Sequence, residues 1–177
     1  MLIMMAGLPG AGKSTLSRAL AESYGGLVLD KDTIRAALFP AHIEYSREQD
    51  DFCQQVMLQT TVFLSSRHPD LRIFLDGRPF SRRYQRRQIA DTAARLRTPL
   101  AIIECVCAED IALSRLRRDN ETGVHVAANR NPSLYARVKA DFEPFDEPRL
   151  TLNTGQPLAE CVRQAKAYLE LIAAEPQ

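Results

Sequence analysis

What this sequence lacks narrows its chemistry first. Twenty-three Lys and Arg stand against 22 Asp and Glu, a formal net charge of +1, so bulk charge builds no surface that seeks polyanions. No apolar run approaches the ~20 residues that cross a bilayer, and no basic segment leads into an apolar stretch of signal length, so no secretory leader is expected. The four cysteines, Cys53, Cys105, Cys107 and Cys161, include no C-x-x-C pair. They read as reduced, partly buried thiols of a cytoplasmic protein. His42, His68 and His125 are scattered without zinc-ligand spacing and read as surface or substrate-lining residues. Internal repeats and low-complexity linkers are absent, as are an N-K-x-D guanine-reading motif, a transporter-type signature and an appended helical domain. The 177 residues, 45% hydrophobic and 25% charged, suit one soluble domain spanning 1–177.

What is present is concentrated at the start. Gly7, Leu8, Pro9, Gly10, Ala11, Gly12, Lys13 and Ser14 match the phosphate-binding pattern G-x-x-x-x-G-K-[ST] at every fixed position. The loop follows an apolar stretch, Leu2–Ala6, read as a buried strand, and precedes a helical pattern over Ser14–Tyr24. Its glycines let several backbone N–H groups face one anion, the helix start adds partial positive charge, and Lys13 reaches the β- and γ-phosphates. Ser14 is the expected Mg²⁺ ligand, and Gly7 through Thr15 are expected to hold the nucleotide. An ordinary glycine-rich turn explains neither the Lys-Ser pair nor its place after the first strand.

Downstream, strands alternate with helices. Leu27–Leu29 is a short apolar run ending at Asp30, Thr33–Leu38 a brief helix, and Arg47–Ser66 a long helical pattern. Arg72–Asp76 reads as a third strand, with Ser81 capping a helix to about Leu96. Pro99–Val106 is a fourth strand, followed by a helix over Glu109–Arg118 and a polar stretch, Asp119–Pro132, expected to form a mobile lid covering about 115–132. Ser133 opens a helix to about Phe142, Arg149–Leu152 is a fifth strand, and Leu158–Ala173 is a terminal amphipathic helix. This alternation predicts an α/β, three-layer P-loop fold around a central parallel five-stranded sheet, with ligands beyond the carboxyl ends of its strands.

The loop, Asp30, Asp32 and Asp76 all fall at that edge. Asp32 and Arg35, three apart on one helical face, suit a general base and an acceptor-holding or charge-neutralising cation. Asp30 could instead cap the helix. Asp76 fits a carboxylate supporting Mg²⁺, although Asp-Gly after a strand also describes a plain turn. Of the basic cluster Arg78, Arg82, Arg83, Arg86 and Arg87, Arg78 is expected to face the acceptor and the others to be mostly solvated. Arg115 and Arg118 share a helical face and could be delivered by the lid to charge on a transferred phosphoryl group; Arg117 adjoins them and Arg130 follows the polar stretch. The segment Glu143–Pro148 reads as a connector.

With these residues assembled, the chain resembles the small P-loop kinases, a group that includes the kinase domain of polynucleotide kinases, zeta toxins, chloramphenicol phosphotransferase, adenylylsulfate kinase and AAA_33-like ATP-binding proteins. In the polynucleotide kinase branch an Asp-x-x-Arg after the second strand supplies a base and an acceptor-binding Arg; Asp32-Thr33-Ile34-Arg35 fits, and Lys31 falls where a basic residue often precedes it. The resemblance carries the strand-end Asp to Asp76 and the lid Arg to Arg115 or Arg118. It implies transfer of the ATP γ-phosphoryl, with Mg²⁺, to a hydroxyl of a small molecule. A 5′-hydroxyl polynucleotide acceptor is the alternative, disfavoured by the near-neutral charge; a toxin-like kinase lies within the same class. A nucleotide-dependent switch without transfer is the alternative outside it.

Overall fold

The computed structural model describes residues 1–122 and 126–174. Five parallel strands, β1 (Leu2–Ala6), β2 (Leu27–Asp30), β3 (Ile73–Asp76), β4 (Leu100–Val106) and β5 (Leu150–Asn153), lie in the order β2-β3-β1-β4-β5. Seven helices are described: α1 (Lys13–Tyr24), α2 (Lys31–Leu38), α3 (Arg47–Ser65), α4 (Arg83–Leu96), α5 (Glu109–Thr122), α6 (Pro132–Ala140) and α7 (Leu158–Ala174). The α/β architecture with a central five-stranded parallel sheet is the one expected.

The central strand explains the layering. Every residue of β1 is buried, and alternation sends its side chains to opposite faces. Ile3 and Met5 enter one core with Leu16 and Leu20 of α1 and Cys161, Ala165 and Leu169 of α7. Leu2, Met4 and Ala6 enter the other with Met57 of α3 and Ile89 and Ala93 of α4. A third, smaller cluster joins Ala112 and Leu116 of α5 to Tyr135 of α6. With β3 and β4 on either side of β1, connections leave in opposite directions, opening a crevice at the carboxyl ends of the central strands.

Several local expectations are corrected. Helix α4 begins at Arg83 rather than after a Ser81 cap, and Gln85 accepts from the Arg82 amide at 3.2 Å. Helix α6 is capped by Asn131, whose side chain accepts from the Leu134 amide at 2.9 Å, with Pro132 at its start, where the missing N–H costs nothing. Helix α5 continues past Arg118 to Thr122 because the polar residues there include neither Gly nor Pro, so the first part of the expected lid is helical. Of the basic cluster Arg83 and Arg87 are exposed as expected, but Arg86 is fully buried, donating to the Glu147 carboxylate and to the carbonyls of Phe80 and Pro144. Its guanidinium also lies over the Phe145 ring at 4.3 Å, so Glu143–Pro148 wraps a buried cation and is more than a connector. The four thiols are free and Cys107 alone is not buried, while His42 and His68 are exposed; His125 lies outside the described residues.

Candidate functional site

The phosphate loop is bent by glycines whose conformations no larger residue would adopt cheaply. Gly10 has φ +78°, and a Cβ there would sit 2.5 Å from the Ala112 carbonyl oxygen of α5. Across the crevice, Gly77 has φ +81° and would place a Cβ 2.7 Å from the Lys31 amide, so the turn after β3 can press against the start of α2 only with glycine.

Two clefts open on the loop. One, of about 400 Å³, is lined by Gly10, Gly12, Lys13, Ser14 and Thr15, by Arg115 and Arg118 of α5, and by the turn after β5 that carries Thr154 and Gln156. The other, of about 310 Å³, includes Pro9, Lys13, Ser14, Asp32, Arg35 and Arg78 in its wall. Lys13, Ser14 and Arg130 line both. Gly7, Leu8 and Ala11 line a separate apolar cavity of about 190 Å³ behind the loop, so the side-chain positions of the expected nucleotide-binding run divide among three spaces.

Lys13 folds back on its own loop, donating to the carbonyls of Gly7 at 2.8 Å and Leu8 at 2.9 Å. Burial pulls its pKa from 10.5 down to about 8; the Asp76 carboxylate opposes this and Arg130 adds to it. The ammonium is thus held where an anion would be its best partner.

Asp30 and Asp76 are register partners at the ends of β2 and β3. Asp30 caps α2, accepting from the amides of Asp32 at 2.8 Å and Thr33 at 3.1 Å. Burial raises its pKa, as does the neighbouring Asp76 charge. Asp76 is fully buried; its Oδ2 accepts from Ser17 at 3.0 Å, and its Oδ1 has no hydrogen-bond partner. A buried carboxylate oxygen without a donor suits a cation or its water. Among the described residues no group of three or more His, Cys, Asp or Glu could hold a metal ion. The unpartnered Asp76 Oδ1 would suit Mg²⁺, a hard cation that takes one or two protein oxygens and completes its shell with phosphates and water. Ser14, which lines both clefts, is the other ligand expected from the sequence.

Asp32 Oδ1 accepts from Arg35 Nη1 at 3.0 Å and Lys31 Nζ at 3.1 Å, and among the described residues Oδ2 has no donor. Asp50 of α3 draws in the same two cations, Lys31 at 2.7 Å and Arg35 through Nη2. Burial lowers the Lys31 pKa, with Asp32 opposing the shift. Arg78 is 2% exposed and its guanidinium is taken up by Asp51 at 2.5 Å and Gln54 at 2.8 Å, so it braces α3 against the turn after β3. Arg115 is also a brace: it donates to the Gly10 carbonyl at 3.3 Å and to the Thr154 carbonyl at 2.8 Å.

Sequence reasoning did not single out Thr154, Tyr45 or Arg130 as site residues. Thr154 Oγ donates to the Ala11 carbonyl at 2.9 Å, fastening the loop from behind; a polar turn just past β5, at the same sheet edge, was the available signal. Tyr45 has φ +51°, stacks on Arg35 at 5.0 Å and accepts from the Ala128 amide at 2.8 Å. No periodicity announces such a residue. Arg130, just before α6, lines both clefts.

The sequence profile of the AAA domain family AAA_33 matches residues 2–145. No curated protein matches the chain by sequence. Among solved structures, a protein of Chloroflexus aurantiacus J-10-fl is 20% identical with a TM-score of 0.75, covering 94% of this chain and 97% of its own. A gluconokinase from Sinorhizobium meliloti 1021 is 20% identical with a TM-score of 0.68, covering 97% of this chain and 92% of its own. The APS kinase CysC of Mycobacterium tuberculosis, solved with AMPPNP and APS, is 16% identical with a TM-score of 0.70, covering 96% of each chain. At these identities the likeness is one of fold. From its phosphate loop through the crevice at Asp32 and Asp76, the chain belongs to the AAA domain family AAA_33 and has the fold of small P-loop kinases.

Proposed function

We propose that the protein is an ATP-dependent phosphotransferase that moves the γ-phosphoryl group of ATP to a hydroxyl of a small acceptor. The observation that carries this reading is the meeting of two clefts at Lys13 and Ser14, one floored by the phosphate loop and the other holding Asp32. A switch needs the first cleft; only transfer has use for a second with a carboxylate in its wall.

In this reading the loop amides and Lys13 hold the β- and γ-phosphates, and Arg115 keeps the Gly10 turn in shape. Asp32, oriented by Lys31 and Arg35, accepts the acceptor's proton on Oδ2. The acceptor oxygen bonds to the γ-phosphorus as its bond to the β-phosphate oxygen breaks, and ADP leaves. Arg118 and Arg130 are placed to meet charge spread over the equatorial oxygens. Ser14 and Asp76 would hold Mg²⁺, which when bound would neutralise phosphate charge.

The test is transfer of labelled γ-phosphate from ATP to a pooled panel of sugars, sugar acids, nucleosides, amino-alcohols, antibiotics and 5′-hydroxyl oligonucleotides. Lys13→Ala serves as a control for nucleotide binding and Asp32→Asn as a control for proton acceptance. A labelled small-molecule product, absent with either variant while Asp32→Asn still binds ATP, is expected. Label confined to oligonucleotides would move the reading to a polynucleotide kinase. ATP binding with no product would favour the switch.

A further inference from the structure

The composition of the second cleft deepens that reading. Eight Lys and Arg line it against three carboxylates, Asp32, Asp50 and Asp141. Most of these cations are committed: Lys31 and Arg35 to Asp32 and Asp50, Arg78 to Asp51, and Arg82 to Asp141 at 2.8 Å and Glu143 at 3.4 Å. Lys13 belongs to the phosphate loop, and Arg130 lies 3.1 Å from Asp119. Two remain. Arg47, at the start of α3, and Arg137, on α6, approach the cleft from separate elements, and among the described residues neither side chain makes a hydrogen bond or ion pair. A second observation points the same way: Arg35 is 2% exposed, and its Nε is a buried donor with no acceptor. A buried N–H without an acceptor is costly, and an anion drawn into this wall would offer it one.

We infer that the acceptor is itself an anion: a small hydroxy compound carrying a phosphate, sulfate or carboxylate group, whose hydroxyl meets Asp32 while its acid group is held by Arg47 and Arg137. Arginine presents a planar fork of donors that matches such groups. A cleft of about 310 Å³ suits a molecule of a few carbons with one acid group. This inference rests on the phosphotransferase reading for the hydroxyl and Asp32, but the anion pocket can be tested without turnover.

The experiment is calorimetric binding of matched pairs that differ in an acid group: glycerol with glycerol 3-phosphate, ribose with ribose 5-phosphate, and sorbitol with gluconate. Mg·AMPPNP is kept in excess so that the phosphate loop is filled. Wild type is compared with Arg47→Gln/Arg137→Gln and with Arg87→Gln, an exposed arginine outside the cleft. The expected result is that at least one anionic member binds about tenfold or more tightly than its neutral partner, and that the double variant loses this preference while Arg87→Gln keeps it. Equal affinity for charged and neutral members, no binding of either, or a preference that survives in the double variant would each overturn the inference. AMPPNP binding in the same samples reports on the phosphate loop separately. Preserved nucleotide binding with no anion preference sinks this inference alone, whereas anion binding by a protein that cannot hold AMPPNP sinks the phosphotransferase reading.

Discussion

Ser17 Oγ donates to Asp76 Oδ2 at 3.0 Å, one helical turn beyond the Ser14 hydroxyl. The bond fixes a fully buried carboxylate at the end of β3 while its other oxygen is left without a protein partner. Asp76→Asn keeps the size and can still accept from Ser17, but it removes the charge. Transfer is expected to fall about a hundredfold, with more Mg²⁺ needed for half-maximal rate and little change in thermal stability. The rate measured against Mg²⁺ concentration checks this; an unchanged Mg²⁺ dependence removes Asp76 from the metal site.

Lys13 is expected to make nucleotide affinity pH-dependent. With a pKa of about 8 in the free protein, the ammonium is lost as pH rises past that value. Binding of AMPPNP should therefore weaken above pH 8, by up to about tenfold per pH unit. Stability moves the other way for this group. Its folded pKa lies below its unfolded value of 10.5, so the burial penalty is complete below pH 8 and is relieved as pH rises through the window from 8 to 10.5. Calorimetric titrations at half-unit steps between pH 7 and 9.5 test the affinity, and a flat profile would contradict it.

Two neighbouring arginines of α4 should behave oppositely. Removing Arg86 strips a fully buried cation from Glu147 and from three backbone carbonyls; Arg86→Leu is expected to cost about 3–5 kcal/mol. Arg83 pairs with Asp146 with both side chains more than 60% exposed, and Arg83→Ala should cost less than about 1 kcal/mol. Urea unfolding of both variants separates the cases.

The Tyr45 hydroxyl joins the loop before α3 to the Ala128 amide across the second cleft. Tyr45→Phe keeps the ring over Arg35 and removes only that tie. The KM for the acceptor is expected to rise about three- to tenfold, the worth of one hydrogen bond, while affinity for nucleotide is unchanged. A rise in both would mean that the tie supports the whole site.

Much of this molecule was legible along the chain because its signals are local. Strand and helix patterns lie within windows of a few residues, and the phosphate loop is a contiguous run whose glycines, lysine and serine each have one stereochemical use. The pairing of Asp32 with Arg35 was equally visible, because residues three apart on a helix must share a face. What the tertiary structure alone decided is every relation across long sequence separations. Sheet order put β3 beside β1, so Asp76 came under the loop. Burial turned Arg86 from an expected solvated cation into a brace, and tied Arg78, in the wall of the second cleft, to α3. The tertiary fold put Arg130 in the walls of both clefts and Arg137 in that of Asp32's, with no acid partner for Arg137 among the described residues. A side chain's charge is written in its residue type, but whether that charge is spent on a carboxylate or left for a ligand depends on which distant element packs against it.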